Sequence, residues 1–557
     1  MCIFLYKLSE KGTDMPKNKF GKRFAVLLSL LICTVLNGYT ERSQVSTRLQ
    51  EDHPVSLRFF GSADAERFTR ELDASFQGVL QKNWIATAEN GFPAGFVNAS
   101  LPGFPWAGTM WSRDGGTFMR ELVMRGYYQH AATLAECLID LVQKNREGFY
   151  AFPEYFKGSK PGSGLSTELD GTASIVIGMA LLWERLPNGN PVKDRIYAFL
   201  SQNASPVGYL KSLVKSSPLA AGSGEFGCGV DIPGECYNVV QNNLTRLALL
   251  AAAEMAKESG KAALSEEDQQ LAAKIQDGME KYLVNKDGSW TWCIDVHTLK
   301  PDRTVLDSAP NLGFGGMNGV ASMYADVLGL QPLTSHWNGV AHSEKTFQQL
   351  YNTPLRKMEF ERYGIWTQFD LRGGGMLTSP SYGQSYAIQT MLLFDKLAMA
   401  EKALSWLATA TYSPIPEYKL HRASRYYFYE RMYAPDAVGK VALEEGCGAL
   451  NLVNVSEPLK VSRLMLGVDD SSLETIRMIP RIPDSWQGVE ARNWPIRSRS
   501  GVVRADILFE RKGAGGEFIL KFAPGEEVDN LEVRMPSKGG YVWRGKKHAR
   551  YAHFETH

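Results

Sequence analysis

The sequence has almost no net charge. Its 557 residues include 61 Lys and Arg against 60 Asp and Glu, a formal charge of +1. That balance gives no argument for a nucleic acid or an anionic membrane surface as partner. Histidine is scarce, at nine residues, and none falls in an HExxH or other close metal-ligand spacing, so no catalytic metal or other cofactor is expected. The seven cysteines stand at 2, 33, 137, 228, 236, 293 and 447 and form no Cys-x-x-Cys pair, which argues against a zinc ribbon or a thioredoxin-type site. Cys228 and Cys236 are close enough in sequence for a local bridge, but partly buried free thiols are the favoured reading. There is no Gly-x-Ser-x-Gly elbow and no Cys–His signature. The Gly-rich segments 311–316 and 372–375 lack both the Gly-Lys-Ser/Thr ending and the strand–helix setting of a phosphate loop. No solenoid repeat is visible, and beyond the N-terminus no stretch is long and apolar enough to span a membrane.

What the chain does have is aromatic side chains. There are 12 Trp, 23 Tyr and 26 Phe, 11% of the residues, alongside 52 Gly. Such a composition suits a cleft that stacks on flat apolar ligand faces such as sugar rings, although a large aromatic core is the commoner use. At 44% hydrophobic and 22% charged the rest is ordinary for a globular protein. Length alone suggests three or four domains of roughly 150 residues, a prior that single large barrels often exceed.

The N-terminus reads as a targeting segment. Lys17, Lys19, Lys22 and Arg23 form a basic region before the apolar residues 25–36 and the polar Asn37-Gly38-Tyr39-Thr40. That run is short for a membrane span and right for a secretory signal over residues 1–40. A start at Met15 would make it conventional, and an uncleaved anchor is the alternative. Export to the periplasm or the outside follows. Residues 41–57 are polar and read as a linker.

Residues 58–466 read as helices broken by long Gly-rich loops. Helical patterns cover 63–81, 116–125, 128–144, 171–186, 192–202, 238–257, 266–283, 319–328, 385–399, 401–411 and 448–466. The apolar positions are broader than a narrow stripe, so the helices should pack in layers. Long loops at 92–113, 145–170, 216–235, 289–316 and 412–446 carry most of the chemistry-bearing residues, as functional loops do. After 467 the pattern changes to short strands at 476–479, 489–495, 502–510, 517–522 and 531–535, a small antiparallel β-domain over 467–557.

The densest cluster is Phe104-Pro105-Trp106-Ala107-Gly108-Thr109-Met110-Trp111-Ser112-Arg113-Asp114. Asp114 sits where a helix N-cap belongs, and two buried Trp with a cap would account for the whole run. The functional alternative is a sugar subsite. There an aromatic wall packs the C–H face of a ring while Arg113 and Asp114 hydrogen-bond neighbouring hydroxyls.

Trp111-Ser112-Arg113-Asp114 resembles the Trp-x-Arg-Asp segment of glucoamylases and of the amylo-1,6-glucosidase domain of debranching enzymes. Further segments resemble that set in the same order. Gly148-Phe149-Tyr150-Ala151-Phe152-Pro153-Glu154 is similar to its Gly-hydrophobic-Ile-Pro loop, and Thr167-Glu168-Leu169-Asp170-Gly171-Thr172-Ala173 to its Thr-x-Asp-Ala helix start. Val230-Asp231-Ile232-Pro233-Gly234-Glu235, leading into Tyr237–Leu244, resembles the loop that carries the general acid. Tyr429-Glu430-Arg431-Met432-Tyr433-Ala434-Pro435 resembles the loop bearing the base in processing α-glucosidases. The resemblance covers about residues 60–466 and implies a six-hairpin glycosidase, a mainly α (α/α)6 toroid, here followed by the β-domain. A similar trailing β-domain closes α-L-rhamnosidase chains.

Glycoside hydrolysis needs two carboxyl groups across the scissile bond, one of them protonated. The resemblance assigns Asp231 as general acid, against a turn-forming Asp as the bland reading. Glu235, four residues on, is better explained as a helix-start carboxylate and is kept as an alternative acid. Glu430, within the aromatic run 426–433, is the candidate base; Glu417 after Pro416 competes, the pair Glu444-Glu445 is a third candidate, and an ion pair with Arg431 is the structural alternative. With Glu430 as base the family would imply inversion, with carboxyl groups roughly 6.5–9.5 Å apart. Trp106, Trp111, Arg113, Asp114, Asp170, Trp366 and Tyr433 are the candidate substrate-binding residues, with Gln368, Asp370, Tyr382 and Gln384 also near the second Gly-rich segment.

The expected activity is therefore exo-acting hydrolysis of an oligo- or polysaccharide, with a terminal α-linked glucose favoured by the Trp-x-Arg-Asp likeness. Another six-hairpin glycosidase acting on rhamnose, mannose or glucuronate is the nearest alternative. A toroidal polysaccharide lyase would use His421 with Tyr426 or Tyr427, and a non-catalytic glycan-binding protein is a third class.

Overall fold

The computed structural model describes residues 54–104, 106–144, 148–162, 168–222, 236–283, 293–300, 377–378, 382–393, 395–408, 427–428, 431–433, 443–444, 448–513, 515–537, 540–549 and 551–556. These residues belong to one contact unit, Asp52–His557.

Two kinds of helix are present, and burial separates them. In α1 (Ala63–Lys82), Phe68, Leu72, Phe76 and Val79 recur at helical spacing and are buried, while the opposite face is wet. The Ser62 side chain caps this helix by accepting from the Ala65 backbone N–H at 3.1 Å. The helices α3 (Tyr128–Leu141), α5 (Pro191–Ser201), α6 (Pro206–Lys215), α8 (Ala262–Tyr282) and α10 (Leu397–Trp406) are likewise buried along part of their surface. By contrast α2 (Ser112–Met124), α4 (Leu169–Arg185), α7 (Val239–Glu258) and α11 (Leu452–Leu466) are buried nearly all round. A helix without a wet face must be enclosed. With α9 (Tyr382–Leu393) they form an inner layer, in the order α9, α11, α2, α4, α7, and the striped helices cover its outside.

The inner helices approach closely where side chains are smallest. A Cβ on Gly116 of α2 would fall 2.5 Å from the backbone carbon of Ser174 in α4. One on Gly178 of α4 would lie 3.0 Å from the Gly116 carbonyl oxygen. Lower in the layer, charges rather than methyl groups fill the interior. Arg120 of α2 contacts Glu121 at 2.7 Å and Glu457 of α11 at 3.1 Å, and Arg463 contacts Glu121 at 2.9 Å. Gln389 of α9 donates to Glu457 at 2.8 Å, so three inner helices share one buried polar network. Burial alone would raise the Glu121 carboxyl, but the Arg463 and Arg120 guanidiniums hold it at about 2.

The N-terminal ends of the inner helices form one rim. The Tyr382 N–H at the start of α9 donates to the Asn454 side chain in the first turn of α11. Leu452 donates to the Ala99 carbonyl, and Ala99 donates to Thr109 on the strand leading into α2. Arg113 of α2 reaches Asp170 of α4, and a Cβ on Gly222 would press on Gln241 of α7 and on Leu169 of α4.

The C-terminal region is two sheets. One has the order β1-β14-β15-β16-β19 and the other β12-β13-β17-β18. Here β1 is Ser56–Phe60, β12 Val468–Asp469, β13 Thr475–Met478, β14 Gly488–Ser498, β15 Gly501–Lys512, β16 Gly515–Phe522, β17 Val528–Ser537, β18 Gly540–Ala549 and β19 Tyr551–Thr556. The pairs are antiparallel except β13 with β17, which is parallel.

Several elements differ from the sequence expectation. The polar linker ends earlier than expected, because Ser56–Phe60 forms β1 and pairs with β14, Ser56 opposite Arg492 and Phe60 opposite Gly488. Phe59 then packs on Phe68 and Trp486, centroids 5.9 and 5.6 Å away, which ties the first strand and first helix to the last domain. The pattern read as one helix over 385–399 is broken at Asp395, whose φ of +58 turns the chain into α10. Helix α6 was not expected, although Ser205 before Pro206 is a helix-start signal and its side chain does accept from Gly208 at 2.9 Å. Helix α11 starts at Leu452 rather than 448, because Leu450 takes φ +51 and Asn451 caps the first turn. Cys137, Cys236 and Cys293 are buried free thiols; Cys228 lies outside the described residues. Among the described residues no helix is long and apolar enough to cross a membrane.

Candidate functional site

Strand β2 (Thr109–Trp111) runs straight into α2, so Trp111 and Arg113 are presented at the rim. The helix begins at Ser112, with Trp111 in the N-cap position and no side-chain cap bond. Asp114 is therefore not the cap that the sequence suggested. It lies inside the first turn, 3% exposed, where the helix N-terminus favours a carboxylate. The Ser112 backbone N–H donates to Glu154 at 2.9 Å and its hydroxyl donates to the Pro153 carbonyl. The loop 152–154 is held equally from α4, since Phe152 N–H donates to the Thr172 hydroxyl at 3.0 Å and Glu168 N–H donates to the Phe152 carbonyl at 2.9 Å.

Between these two helix starts the polar residues converge. The Arg113 guanidinium lies 3.6 Å from the Asp114 carboxylate and 3.5 Å from that of Asp170. Asp170 is fully buried and the Arg113 side chain is 13% exposed. One guanidinium thus faces two carboxylates, and the group as a whole offers both donors and acceptors. Gly171 permits this approach: a Cβ there would be 2.8 Å from the Ser112 Cβ and 3.2 Å from the Arg113 backbone nitrogen.

Aromatic rings gather on the turn and strand that lead into α2. Trp106 meets Trp111 edge to face with centroids 5.2 Å apart, and Trp111 meets Tyr155 at 5.1 Å. Tyr155 comes from β3 (Tyr155–Lys157), directly opposite Trp111 in the antiparallel register with β2. The turn carrying Trp106 is fastened by Gly108 N–H donating to the Asn98 side chain at 3.1 Å, and Asn98 is bound to Asn83 in turn. Trp106 has φ +67 and is 42% exposed.

Of the expected residues, the structure joins Arg113 to Asp114 and Asp170, and Trp106 to Trp111. Asp231, Glu235, Glu417, Glu430, Trp366 and His421 lie outside the described residues. Tyr433 belongs to β9 (Arg431–Tyr433), where its backbone pairs with Leu377 of β7 (Leu377–Thr378). Tyr155 was missed. It follows Pro153-Glu154 immediately in the loop already singled out, but only the strand register shows that its ring meets Trp111. Among the described residues, no group of three His, Cys, Asp or Glu side chains converges as a metal site would require. A cavity of about 350 Å³ opens elsewhere, between α5, α6, α7 and α8, lined by Phe149, Lys211, Met255 and Asp268 and by none of the residues above.

No protein-family model matches the chain, and no curated protein does. Solved structures do. An α-L-rhamnosidase from Dictyoglumus thermophilum superposes with a TM-score of 0.53 at 11% identity, over 90% of this chain and 50% of that one. An α-L-rhamnosidase from Aspergillus terreus gives 0.52 at 11% identity, with the same coverage of 90% and 50%. The glucoamylase of Saccharomycopsis fibuligera gives 0.51 at 14% identity, over 73% of this chain and 96% of that one. The chain therefore spans about half the length of the rhamnosidases it matches. At these identities the likeness concerns architecture, and it agrees with the inner and outer helical layers: the chain has the (α/α)6 toroid fold of the six-hairpin glycosidases.

Proposed function

We propose that the protein is an exported, exo-acting glycoside hydrolase that releases a terminal sugar from an oligo- or polysaccharide. The observation that carries this reading is the cluster of Arg113, Asp114 and Asp170 at the N-terminal rim of the inner helices, reached directly from the strand whose Trp111 meets Trp106 and Tyr155. Sugars present an apolar C–H face and an edge of hydroxyls. Aromatic rings suit the first and an Arg–carboxylate pair suits the second.

In the reaction so assigned, the Asp231 carboxyl gives its proton to the glycosidic oxygen as the bond to the anomeric carbon breaks. Glu430 takes a proton from a water, whose oxygen bonds to the anomeric carbon from the opposite face. The sugar leaves with inverted configuration, Asp231 as carboxylate and Glu430 as carboxylic acid, and one proton exchange with solvent resets both. Arg113, Asp114 and Asp170 hold the terminal ring while this happens. These two roles rest on the sequence resemblance.

A terminal α-glucose is the first reading of the sugar, from the Trp-x-Arg-Asp likeness. A terminal α-L-rhamnose is the second. It is favoured by the rhamnosidase superpositions, which extend over 90% of the chain where the glucoamylase covers 73%.

The test is hydrolysis of the p-nitrophenyl α-glucoside, α-L-rhamnoside, α-mannoside and β-glucuronide with the matching disaccharides, followed by NMR of the newborn anomer. Release of one sugar with inverted configuration is expected. Retention would remove Glu430 from the role of base, and no hydrolysis of any member would overturn the assignment.

A further inference from the structure

We propose that the cavity between α5, α6, α7 and α8 is a second ligand site, which takes a neutral alcohol carried on an apolar body, such as an aryl-alkyl alcohol. It shares no residue with the candidate sugar site, so the inference stands apart from the glycosidase reading.

The space has the size of a small-molecule site. Its volume of about 350 Å³ falls inside the usual range of roughly 300–1,000 Å³. A cavity of roughly 150 Å³ already holds one benzene, so a ring with a short chain fits here. The gap exists because α7 lines it with the small, buried Ala252 and Ala256, where a larger side chain would close it. Its aromatic wall is Phe149, which is held in place. The Phe149 ring meets Tyr209 with centroids 6.4 Å apart and passes over Gly208, where a Cβ would come 3.5 Å from the ring. The next residue, Tyr150, donates its N–H to the Ala204 carbonyl at 2.7 Å, between α5 and α6. Leu200, Val207, Met255, Leu264 and Leu271 add an aliphatic lining.

The polar end is Lys211 of α6. Its ammonium lies 2.5 Å from the Glu267 carboxylate and 2.8 Å from that of Asp268, both on α8. An ammonium has three donors, so two carboxylates leave one for a ligand. The surrounding charges select the ligand's head. An anion at Lys211 would stand against Glu267 and Asp268, and a cation would stand against Lys211 and Lys215, which also lines the cavity. A hydroxyl avoids both conflicts: it accepts from Lys211 and donates to Glu267, which is solvent-accessible. The other polar groups favour an apolar body over a polyol, because several are already engaged. Ser205 accepts from the Gly208 N–H, Ser212 donates to the Tyr209 carbonyl and Gln202 donates to the Phe199 carbonyl. A body ringed with hydroxyls would leave many of them unpaired against the aliphatic walls.

The experiment is ligand-observed NMR titration of the full-length chain with three probes that share one body: 3-phenylpropanol, 3-phenylpropylamine and 3-phenylpropanoate. The alcohol should bind with a Kd of about 1 mM or below, the scale for a ligand of this size, and about tenfold more tightly than either ion. Glucose and L-rhamnose should not displace it. Ala252→Leu, which fills the cavity, should abolish binding while the melting temperature holds or rises. Lys211→Met should weaken the alcohol about tenfold, the scale of one hydrogen bond to a charged group. It should also make the amine the tightest of the three, because Glu267 and Asp268 then face the ligand alone. Equal binding of the three probes, tighter binding of either ion to the parent chain, displacement by a sugar, or alcohol binding that survives Ala252→Leu overturns the site. So does failure of the alcohol to bind up to its solubility limit. None of these outcomes touches the hydrolysis panel, whose failure would in turn leave this site standing.

Discussion

The Arg113 guanidinium of α2 lies 3.5 Å from the buried Asp170 carboxylate of α4, and this pair joins the two helix starts that carry the candidate site. Arg113→Ala would leave the Asp114 and Asp170 carboxylates buried without that guanidinium. A loss of about 3–5 kcal/mol in urea unfolding is expected, the usual result of breaking a buried pair from one side. Arg113→Lys keeps the charge but not the planar fork. It should fold, and kcat/KM on the substrate identified by the glycoside panel should drop by about 100-fold through misplacement of the terminal ring.

The two assigned carboxyls make a separate demand. Asp231→Asn and Glu430→Gln should each lower kcat by about 10²- to 10⁴-fold, with circular dichroism and melting temperature unchanged. If one variant keeps a near-normal rate, that residue does not have its assigned role. Should Glu430→Gln remain active while Glu417→Gln is dead, the base is Glu417.

Much of this arrangement was legible in the sequence, for identifiable reasons. Helices such as α4 and α7 announce themselves because an enclosed helix needs apolar residues all round, and Trp111-Ser112-Arg113-Asp114 is a compact signal for one rim. What local pattern could not show was long-range. Ser56 and Leu57 read as the end of a polar linker, and only their pairing partners in β14, Arg492 and Ala491, make them a strand. Tyr155 reads as one aromatic among many until register sets it opposite Trp111. Asp114 resembles a cap because Asp is a good cap residue, yet the helix starts two residues sooner, where Ser112 finds its partners in a distant loop. The buried Arg120–Glu121–Arg463–Glu457 network was invisible for the same reason: each charge looks like a wet helix face until its partner across the layer is known.

Adjacent glycines on α2 should behave oppositely. A Cβ on Gly116 would meet the Ser174 backbone at 2.5 Å, which cannot yield without moving α4. A Cβ on Gly115 would meet only the flexible Met110 side chain at 3.6 Å. Gly116→Ala should therefore cost about 1–3 kcal/mol as an overpacked contact. Gly115→Ala should be neutral or stabilising by up to about 1 kcal/mol, since glycine is the poorer helix former. Differential scanning calorimetry of the pair decides it, and similar melting temperatures for both would refute the close crossing of α2 and α4.

The last prediction concerns pH and the junction between the helical layers and the sheets. Glu184, near the end of α4, has a side chain only 5% exposed and lies 3.6 Å from both Arg185 and Arg497. Arg185 also holds Asp470 through two contacts of 2.9 Å, and Arg497 of β14 also pairs with Glu258 at the end of α7. Three carboxylates thus share two guanidiniums. Burial pushes the Glu184 carboxyl up from its ordinary 4.5 to about 7, against the pull of Arg497 and Arg185 and with Glu258 and Asp470 adding to the push. Between those two pH values the folded chain holds a proton that the unfolded chain has released. Stability from this group therefore rises as pH falls through 7 and levels off below 4.5, the reverse of an ordinary salt-bridged carboxylate. Above pH 7 the ionised group costs on the order of 3 kcal/mol. Glu184→Gln removes that cost, so the variant should melt higher than the parent at pH 8, and the difference should shrink steadily toward pH 5. A constant difference across that range would show that Glu184 is already ionised and fully paired at the junction.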